Sequence, residues 1–499
     1  MAASLAQWIV RRSKVNPESV ALIDADTGER ISYAELADRV AGRAAALHGL
    51  GVRKGDRVAL LALNSTDYLE TLFAAAWLGA ITLPVNFRLA AGEIRFLLDD
   101  ARPVVLVHDD LFTGLAQEAA TGQILINARD LGSAERAELV PTGPDEVAVL
   151  MYTSGTTGRP KGAMLTHGNL EANAVNILTA GEGLLPSDRS LAVAPLFHIG
   201  GLSLFTLPLL YAGGTVAVAS KFDPRQTLAL LEREKVTVHF MVPAMWAAMS
   251  QVPDFDSYDL SELRYLLCGG APCPLPVIEF YEGKGLTFVE GFGMTELSPA
   301  ALVLESAFVR SHAGSVGRPF LHVEARIVDE RDDEVEVGEV GELVLRGPNV
   351  FAGYWGLPSA SAETMRGGWF HSGDLARSDS DGFVTLVDRK KDMIISGGEN
   401  VYPIEVEQVL YRHPGIADVA VIGAPDPRWG ETVVAVVVPD EGASLDQDEV
   451  IAYCRERIAA FKCPHRVEVV AELPRNATGK LLKRELRARY TDSAASVTR

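Results

Sequence analysis

Residues 152–162 read YTSGTTGRPKG, with three glycines, three threonines, one serine and one lysine directly after the apolar run VAVLM (147–151). Glycine lets a backbone approach a ligand closely and take positive φ. Hydroxyls and free N–H groups donate to anionic oxygens, and Lys161 adds a positive charge, so a strand running into this loop suits a phosphate. The loop lacks the GxxxxGK[ST] spacing, which excludes a P-loop nucleotide hydrolase. Further glycine loops follow apolar runs: GGAP (269–272) and GFGMTE (291–296). Open α/β sheets bind ligands at such strand carboxyl ends. In the second loop Phe292 offers a π-face between Gly291 and Gly293, Thr295 a hydroxyl, and Glu296 a hard oxygen fit for Mg²⁺. Asp374 of HSGD can accept two vicinal hydroxyls, and Lys480 stands after a glycine in PRNATGK. Beyond it, Lys483, Arg484, Arg487 and Arg489 read as the solvated face of a terminal helix.

Elements that can position these loops are legible in the periodicity. Ser32-Tyr33-Ala34-Glu35 is a capping box, followed by Leu36, Val40 and Leu47 at helical spacing, with Gly49 and Gly51 as the stop. RVALLAL (57–63), ITLPVN, VVLVHD (104–109), VTVHFMVP (236–243), LRYLLCGG (263–270) and LTFVEGFG (286–293) are apolar throughout, with helices such as 66–80 between them. That alternation indicates a parallel sheet covered on both faces. From about residue 321 the texture changes: HVEARIVDE and GELVLRG alternate apolar and polar as half-buried antiparallel strands do. After DRKKD (388–392) come ADVAVIGAP, ETVVAVVVPD and one helix, DQDEVIAYCRERIAAF. The expected fold is α/β: a large N-terminal domain (1–389) of several subdomains, with parallel sheets and a β-rich part, and a small mobile C-terminal α+β domain (390–499).

Bulk properties bound the function. A chain of 499 residues exceeds one hydrophobic core. Its net charge of −20 disfavours nucleic acid as a partner. The four cysteines form no CxxC pair and read as reduced buried thiols, which favours the cytoplasm. The first residues lack the pattern of a signal peptide. The uncharged stretch Leu191–Ser220 is long enough to span a membrane, but Pro195, Pro208 and its glycines break it, so a buried strand–loop–helix is expected and no transmembrane segment.

In this order, YTSGTTGRPKG, PLFHIGG, GGAP, GFGMTE, HSGDL, DRKKDMIISGGENVYP and PRNATGK resemble the adenylate-forming (acyl-activating) superfamily. The likeness is greatest to its acyl-CoA synthetases, the fatty acyl-CoA ligases, with 4-coumarate–CoA ligases and luciferases more distant, and it spans essentially the whole chain. It implies that a carboxylate attacks the α-phosphate of ATP, pyrophosphate leaves, and a thiol then displaces AMP from the acyl-adenylate. ATP, Mg²⁺ and coenzyme A are the implied cofactors. Carried over by position, Thr153, Ser154, Gly155, Thr156, Thr157, Gly158 and Lys161 cradle the β- and γ-phosphates. Thr295 touches the α-phosphate and Glu296 holds Mg²⁺. Gly270, Ala271 and Pro272 flank the adenine and Phe292 stacks on it, where many relatives have tyrosine. Asp374 and Arg389 grip the ribose, and Lys480 bridges the carboxylate and α-phosphate oxygens.

The resemblance also implies a rotation of the small domain about Lys391, where relatives often have Asp. That rotation brings Gly397, Gly398 and Glu399 to the thiol channel and withdraws Lys480. His198 lines the boundary between acyl pocket and thiol tunnel, with Gly200, Met241 and Gly269 beside the acyl group. No acid stands in PLFHIGGLSLFTLPLL to bind an α-ammonium, and no local cation serves a dicarboxylate. The expected substrate is a medium- to long-chain fatty acid, with an aryl or short branched acid as the alternative. Coenzyme A is the expected acceptor, an acyl-carrier protein the alternative, and a homo-oligomer is possible.

Overall fold

The structure is a computed structural model, and it describes residues 4–494 apart from 154–158, 272, 397–398, 427 and 476–480, with the side chains of 491–494 also excluded. Two parallel sheets carry most of the chain. One has nine strands, in the order Arg318–Pro319, Ala300–Val303, Phe288–Gly293, Tyr265–Cys268, Val238–Met241, Arg189–Ala192, Thr215–Val218, Val20–Asp24 and Arg30–Ser32. Its interior pairings are parallel and both edges are antiparallel. The other has six strands, in the order Ile124–Asn127, Val105–His108, Arg57–Leu61, Ile81–Pro84, Val147–Thr153 and Lys161–Thr166, where only the last pair is antiparallel. Strands such as Val105–His108 and Tyr265–Cys268 are buried along their whole length, which is why they lack a polar alternation.

A four-stranded antiparallel sheet follows: Glu324–Val328, Gly341–Arg346, Phe370–Ser378 and Val384–Arg389. The C-terminal unit has five strands; Gly430–Pro439 is central and pairs with the edge strand Ile416–Asp426, and both are longer than the short strands expected. Its helix Gln447–Arg455 is shorter than the sequence suggested. Asp446 caps its start, and the amides of Arg457 and Ile458 both turn back to the Cys454 carbonyl at its end. The uncharged stretch is a strand, a short helix running through a π-turn into helix Leu207–Ala212, and a second strand, Thr215–Val218. Among the described residues no helix is long and apolar enough to cross a membrane. All four cysteines are free and buried.

Helix Tyr33–Gly49 begins at the capping box: the Ser32 hydroxyl accepts the Glu35 amide, and the Glu35 carboxylate accepts the Ser32 amide. It is fixed to helix Thr66–Trp77 by Arg43, whose Nε is 2.7 Å from the buried Glu70 carboxylate and whose guanidinium also donates to the Ala128 carbonyl. Burial pushes the Glu70 carboxyl up, against the pull of Arg43. Removing one partner of such a pair strands the other charge. Arg43→Met is therefore expected to cost about 3 kcal/mol, seen as a lower melting temperature, and Arg43→Met/Glu70→Leu to recover most of it. An unchanged melting temperature in the single variant would contradict this account.

Candidate active site

A cleft of about 3600 Å³ is lined by the strand ends of both parallel sheets, the antiparallel sheet and the small unit. At one wall, strands Val147–Thr153 and Lys161–Thr166 pair so that Thr153 stands opposite Lys161. Ser154, Gly155, Thr156, Thr157 and Gly158 lie outside the described residues. The Lys161 ammonium sits 5.0 Å from the centre of the Tyr354 ring, and the Tyr354 hydroxyl donates to Glu296 Oε1 at 2.9 Å. Tyr354 is held in place by backbone: the Met164 amide donates to Gly353, and the Trp355 amide to Gly162. Thus a lysine and a carboxylate 135 positions apart share one phenol ring. Glu296 is buried, on the turn Thr295–Leu297, and both Thr295 and Glu296 line the cleft.

Phe292 is the penultimate residue of the strand Phe288–Gly293 and is buried beside the cleft. At Gly293 a Cβ would lie 2.1 Å from the Pro299 carbonyl oxygen, so only glycine allows this close crossing of backbones. Gly269, Gly270 and Ala271 line the cleft at the end of strand Tyr265–Cys268, and Gly270 takes φ +87°. Pro272 lies outside the described residues. On the antiparallel sheet Asp374 and Arg389 are register partners, and Arg389 Nε is 2.6 Å from Asp374 Oδ1. The Ser372 hydroxyl accepts the Asp374 amide, and the buried Glu342 carboxylate accepts the Gly373 amide.

His198 lines the cleft with its Nε2 buried and unbonded. Burial, and then the Arg88 guanidinium, hold its imidazole down at about 3, so it is neutral at any working pH. Met241 does not line the cleft. Strand residues alternate between faces, and Met241 points into the second core against Trp246 and Cys268, leaving Phe240 and Val242 toward the cleft. Phe240 bridges the two expected glycines: a Cβ at Gly200 would lie 3.1 Å from its ring, and one at Gly269 3.8 Å.

Lys391 is exposed in the turn that leads to the small unit, and Glu399 and Asn400 are exposed on the strand Glu399–Val401. Gly397 and Gly398 lie outside the described residues, as does Lys480. The flanks of Lys480, namely Arg475, Leu481, Leu482 and Lys483, line the cleft, and Arg475 bridges Leu481. Lys483 is not solvated as its sequence context suggested: it is largely buried, 2.8 Å from Glu407, and Arg487 reaches Asp392 at 2.8 Å. The physical reason is that the terminal helix packs into the small unit with Leu486 and Tyr490 in its core, so Lys483 meets Glu407 of helix Pro403–Leu410 and Arg487 meets Asp392 of the turn.

Two site residues escaped the sequence reading. Tyr354 lies in FAGYWG, whose turn glycine and paired aromatics were the available signal. Glu290 shares the inward face of its strand with Phe288 and Phe292, and an acid on an apolar face was the signal. Glu290 lines the cleft, and burial pushes its carboxyl up to about 7, against hydrogen bonds from the Cys273 and Gly314 amides.

The chain matches the family model described as AMP-binding enzyme over residues 9–355 and that of the AMP-binding enzyme C-terminal domain over 405–480. It is similar to a feruloyl-CoA synthase of an Amycolatopsis species, 48% identical over 97% of this chain and 99% of the relative. A long-chain-fatty-acid–CoA ligase, FadD13, of Mycobacterium tuberculosis is 36% identical over 97% of this chain and 98% of the relative. Among solved structures it is similar to the o-succinylbenzoate coenzyme A synthetase (MenE) of Bacillus subtilis in complex with ATP and magnesium ion, at TM-score 0.88 and 34% identity over 97% of this chain and 99% of that one.

Because Glu290 binds its proton more tightly folded (about 7) than at its ordinary value (4.5), this group adds stability as pH falls from 8 toward 5. The melting temperature of wild type minus that of Glu290→Gln is therefore expected to rise over that window. A difference that is flat with pH would contradict the burial argument.

Proposed function

The chain belongs to the AMP-binding enzyme family, and we propose that within it the chain is an aryl-acid–CoA ligase. The activity common to these relatives is its own: AMP-forming ligation of a carboxylic acid to coenzyme A, with ATP and Mg²⁺. The acid is the finer point. A fatty acid, expected from the sequence, has weaker support than an aromatic one, since the feruloyl-CoA synthase is nearer in sequence than the fatty-acid ligase. The observation that carries the aryl reading is the Phe240 ring laid against Gly200 and Gly269, which makes a flat apolar wall beside His198. Tyr265, deeper on the same strand face as Leu267, stands edge-on to Phe205 at 5.7 Å and continues that wall. Flat aromatic walls suit a planar ring better than a flexible chain, since offset and edge-to-face contacts add to area burial.

In this reading the acid's carboxylate oxygen attacks the α-phosphorus, and the bond to the bridging oxygen of pyrophosphate breaks. The sulfur of coenzyme A then attacks the acyl carbon and AMP leaves with the electron pair. Phosphoryl chemistry of this kind depends on placing groups and neutralising charge. Thr153 and Lys161, with the loop 154–158, hold the leaving phosphates, and Tyr354 keeps Lys161 and Glu296 in register. Glu296 fits a magnesium ion as one hard oxygen. Among the described residues no group of three His, Cys, Asp or Glu side chains that could hold a metal occurs, and Glu296 is the residue that would hold the ion. When bound, the ion offsets charge on the phosphates. Phe292 with Gly270, Ala271 and Pro272 receives the adenine, and Glu290 is an acceptor for its exocyclic amine. Asp374, oriented by Arg389, accepts the ribose hydroxyls. Lys480 reaches the α-phosphate from the small unit (390–499), which turns on the large one (1–389) about Lys391 and carries Gly397, Gly398 and Glu399 to the thiol.

A panel of acids assayed for coenzyme A-dependent AMP release is expected to favour hydroxycinnamates over C8–C16 fatty acids by about tenfold or more in kcat/KM. The reverse order would overturn the aryl reading while leaving the ligase reading intact. Gly200→Val, which drives a side chain into the Phe240 ring, is expected to lower kcat/KM for aryl acids about 100-fold with the KM for ATP within twofold. A parallel loss for ATP would show that Gly200 does not belong to the acid pocket.

A further inference from the structure

Beside the cleft, on the path between the two units, lies a buried cluster of charge that the reaction described above does not use. Asp388 is the penultimate residue of strand Val384–Arg389 and is almost wholly buried. Its Oδ1 accepts the Arg389 amide at 2.7 Å, and its Oδ2 accepts the Ile404 amide at 3.0 Å. Ile404 is the second residue of the helix Pro403–Leu410 of the small unit, so one carboxylate is bonded on both sides of the turn at Lys391. On the small unit the Lys483 ammonium is 2.8 Å from Glu407, and both side chains are about nine-tenths buried, with exposures of 12% and 10%. Glu407 also accepts the Val421 amide at 2.7 Å, which ties it to the edge strand Ile416–Asp426 of the small sheet. Lys483 faces Glu407, Asp388 and, more weakly, Asp392, and Asp392 is itself paired with Arg487.

The electrostatics bind these groups into one unit. Burial pushes the Asp388 carboxyl up to about 6, and the Lys483 charge is the largest influence opposing it. Burial alone would pull the Lys483 ammonium down, yet Glu407 and Asp388 together raise it. A buried charge is tolerable only with its partners in place. Lys483 contributes the cation that makes Asp388, on the large unit, compatible with the contact.

We propose that Asp388 is a positioning residue: it clasps the Ile404 amide across the hinge, with the buried Lys483–Glu407 pair of the small unit as its support, and so holds the flanks of Lys480 at the cleft for the first half-reaction. The proposal rests on the ligase reading above. Lys483 follows Lys480 by three residues, and Asp388 immediately precedes the ribose-side Arg389, so the clasp fixes both ends of the span that must move. Turning about Lys391 separates Asp388 from Ile404 and Lys483, while Lys483–Glu407 travels intact with the small unit. The clasp therefore favours the orientation that keeps Arg475 and residues 481–483 at the cleft. Its chemistry is purely electrostatic and involves no bond breaking.

The test uses the full chain with Lys483→Met, Lys483→Arg and Asp388→Asn. Acyl-adenylate formation is followed by acid-dependent ATP–pyrophosphate exchange, and thioester formation by supplying the acyl-adenylate and coenzyme A. Lys483→Met is expected to slow the first about tenfold or more and leave the second within twofold, with Lys483→Arg largely restoring the first. A readout independent of turnover is trypsin cleavage after Arg389, Lys390 or Lys391, which the opened hinge should accelerate about tenfold. Asp388→Asn should reproduce both effects, and it serves if Lys483→Met fails to fold. Equal losses in both half-reactions, or cleavage rates unchanged in the variants, would overturn the clasp. Wild-type protein that exchanges pyrophosphate with no acid would instead sink the ligase reading, whereas faster cleavage in the variants would still support the clasp.

Discussion

Two consecutive residues on one strand face opposite ways, and much of the molecule's working geometry follows from that. Arg389 points to the cleft, 2.6 Å from Asp374, while Asp388 points to the small unit and accepts the Ile404 amide. The alternation of a β-strand makes this obligatory. A single edge strand of the antiparallel sheet thus carries a cleft residue on one face and a hinge contact on the other, two residues before the chain turns into the small unit. Neither contact can be altered by sliding the strand, because a one-residue slip exchanges the faces.

The same logic of shared supports runs through the rest of the cleft. Tyr354 touches Lys161 with its ring and Glu296 with its hydroxyl, so a strand edge and a distant 3₁₀ turn are held to one spacing by one side chain. Glu342 receives the Gly373 amide and lies 3.3 Å from Lys390, coupling the turn that presents Asp374 to the start of the hinge. The apolar part of the cleft depends on packing alone: Phe240 lies over two glycine backbones, and a side chain at Gly200, whose Cβ would stand 3.1 Å from the ring, would push the ring into the cleft. Polar supports fix the walls that carry Lys161, Glu296 and Asp374 to within hydrogen-bond tolerance. An aromatic surface leaves the acid wall flat and uncharged.

Loop glycines were legible in the sequence where the backbone geometry forces them. A phosphate cradle needs glycine and hydroxyls, and a close crossing such as Gly293 against Pro299 admits nothing larger. The parallel sheets were legible because fully buried strands cannot alternate. What stayed hidden depended on facing partners remote in sequence. Met241 and Phe240 are adjacent apolar residues, and only strand parity decides which meets the cleft. Lys483 sits in a run of basic residues that looks like a wet helix, and nothing local reveals Glu407 or Asp388. Glu290 was visible as an acid among apolar neighbours, but its amide partners lie on two other segments. The width of the apolar part of the cleft stayed hidden for the same reason, since it is set by residues that meet only in three dimensions.

The account stands most directly on where the nucleotide and acid bind together. A crystal structure with a non-hydrolysable aryl-adenylate analogue is expected to place the base against Phe292, the ribose hydroxyls on Asp374 and the aryl ring against Phe240, with Lys483 still paired to Glu407. A nucleoside bound outside this cleft, or an aryl group lying away from Phe240 and His198, would contradict it.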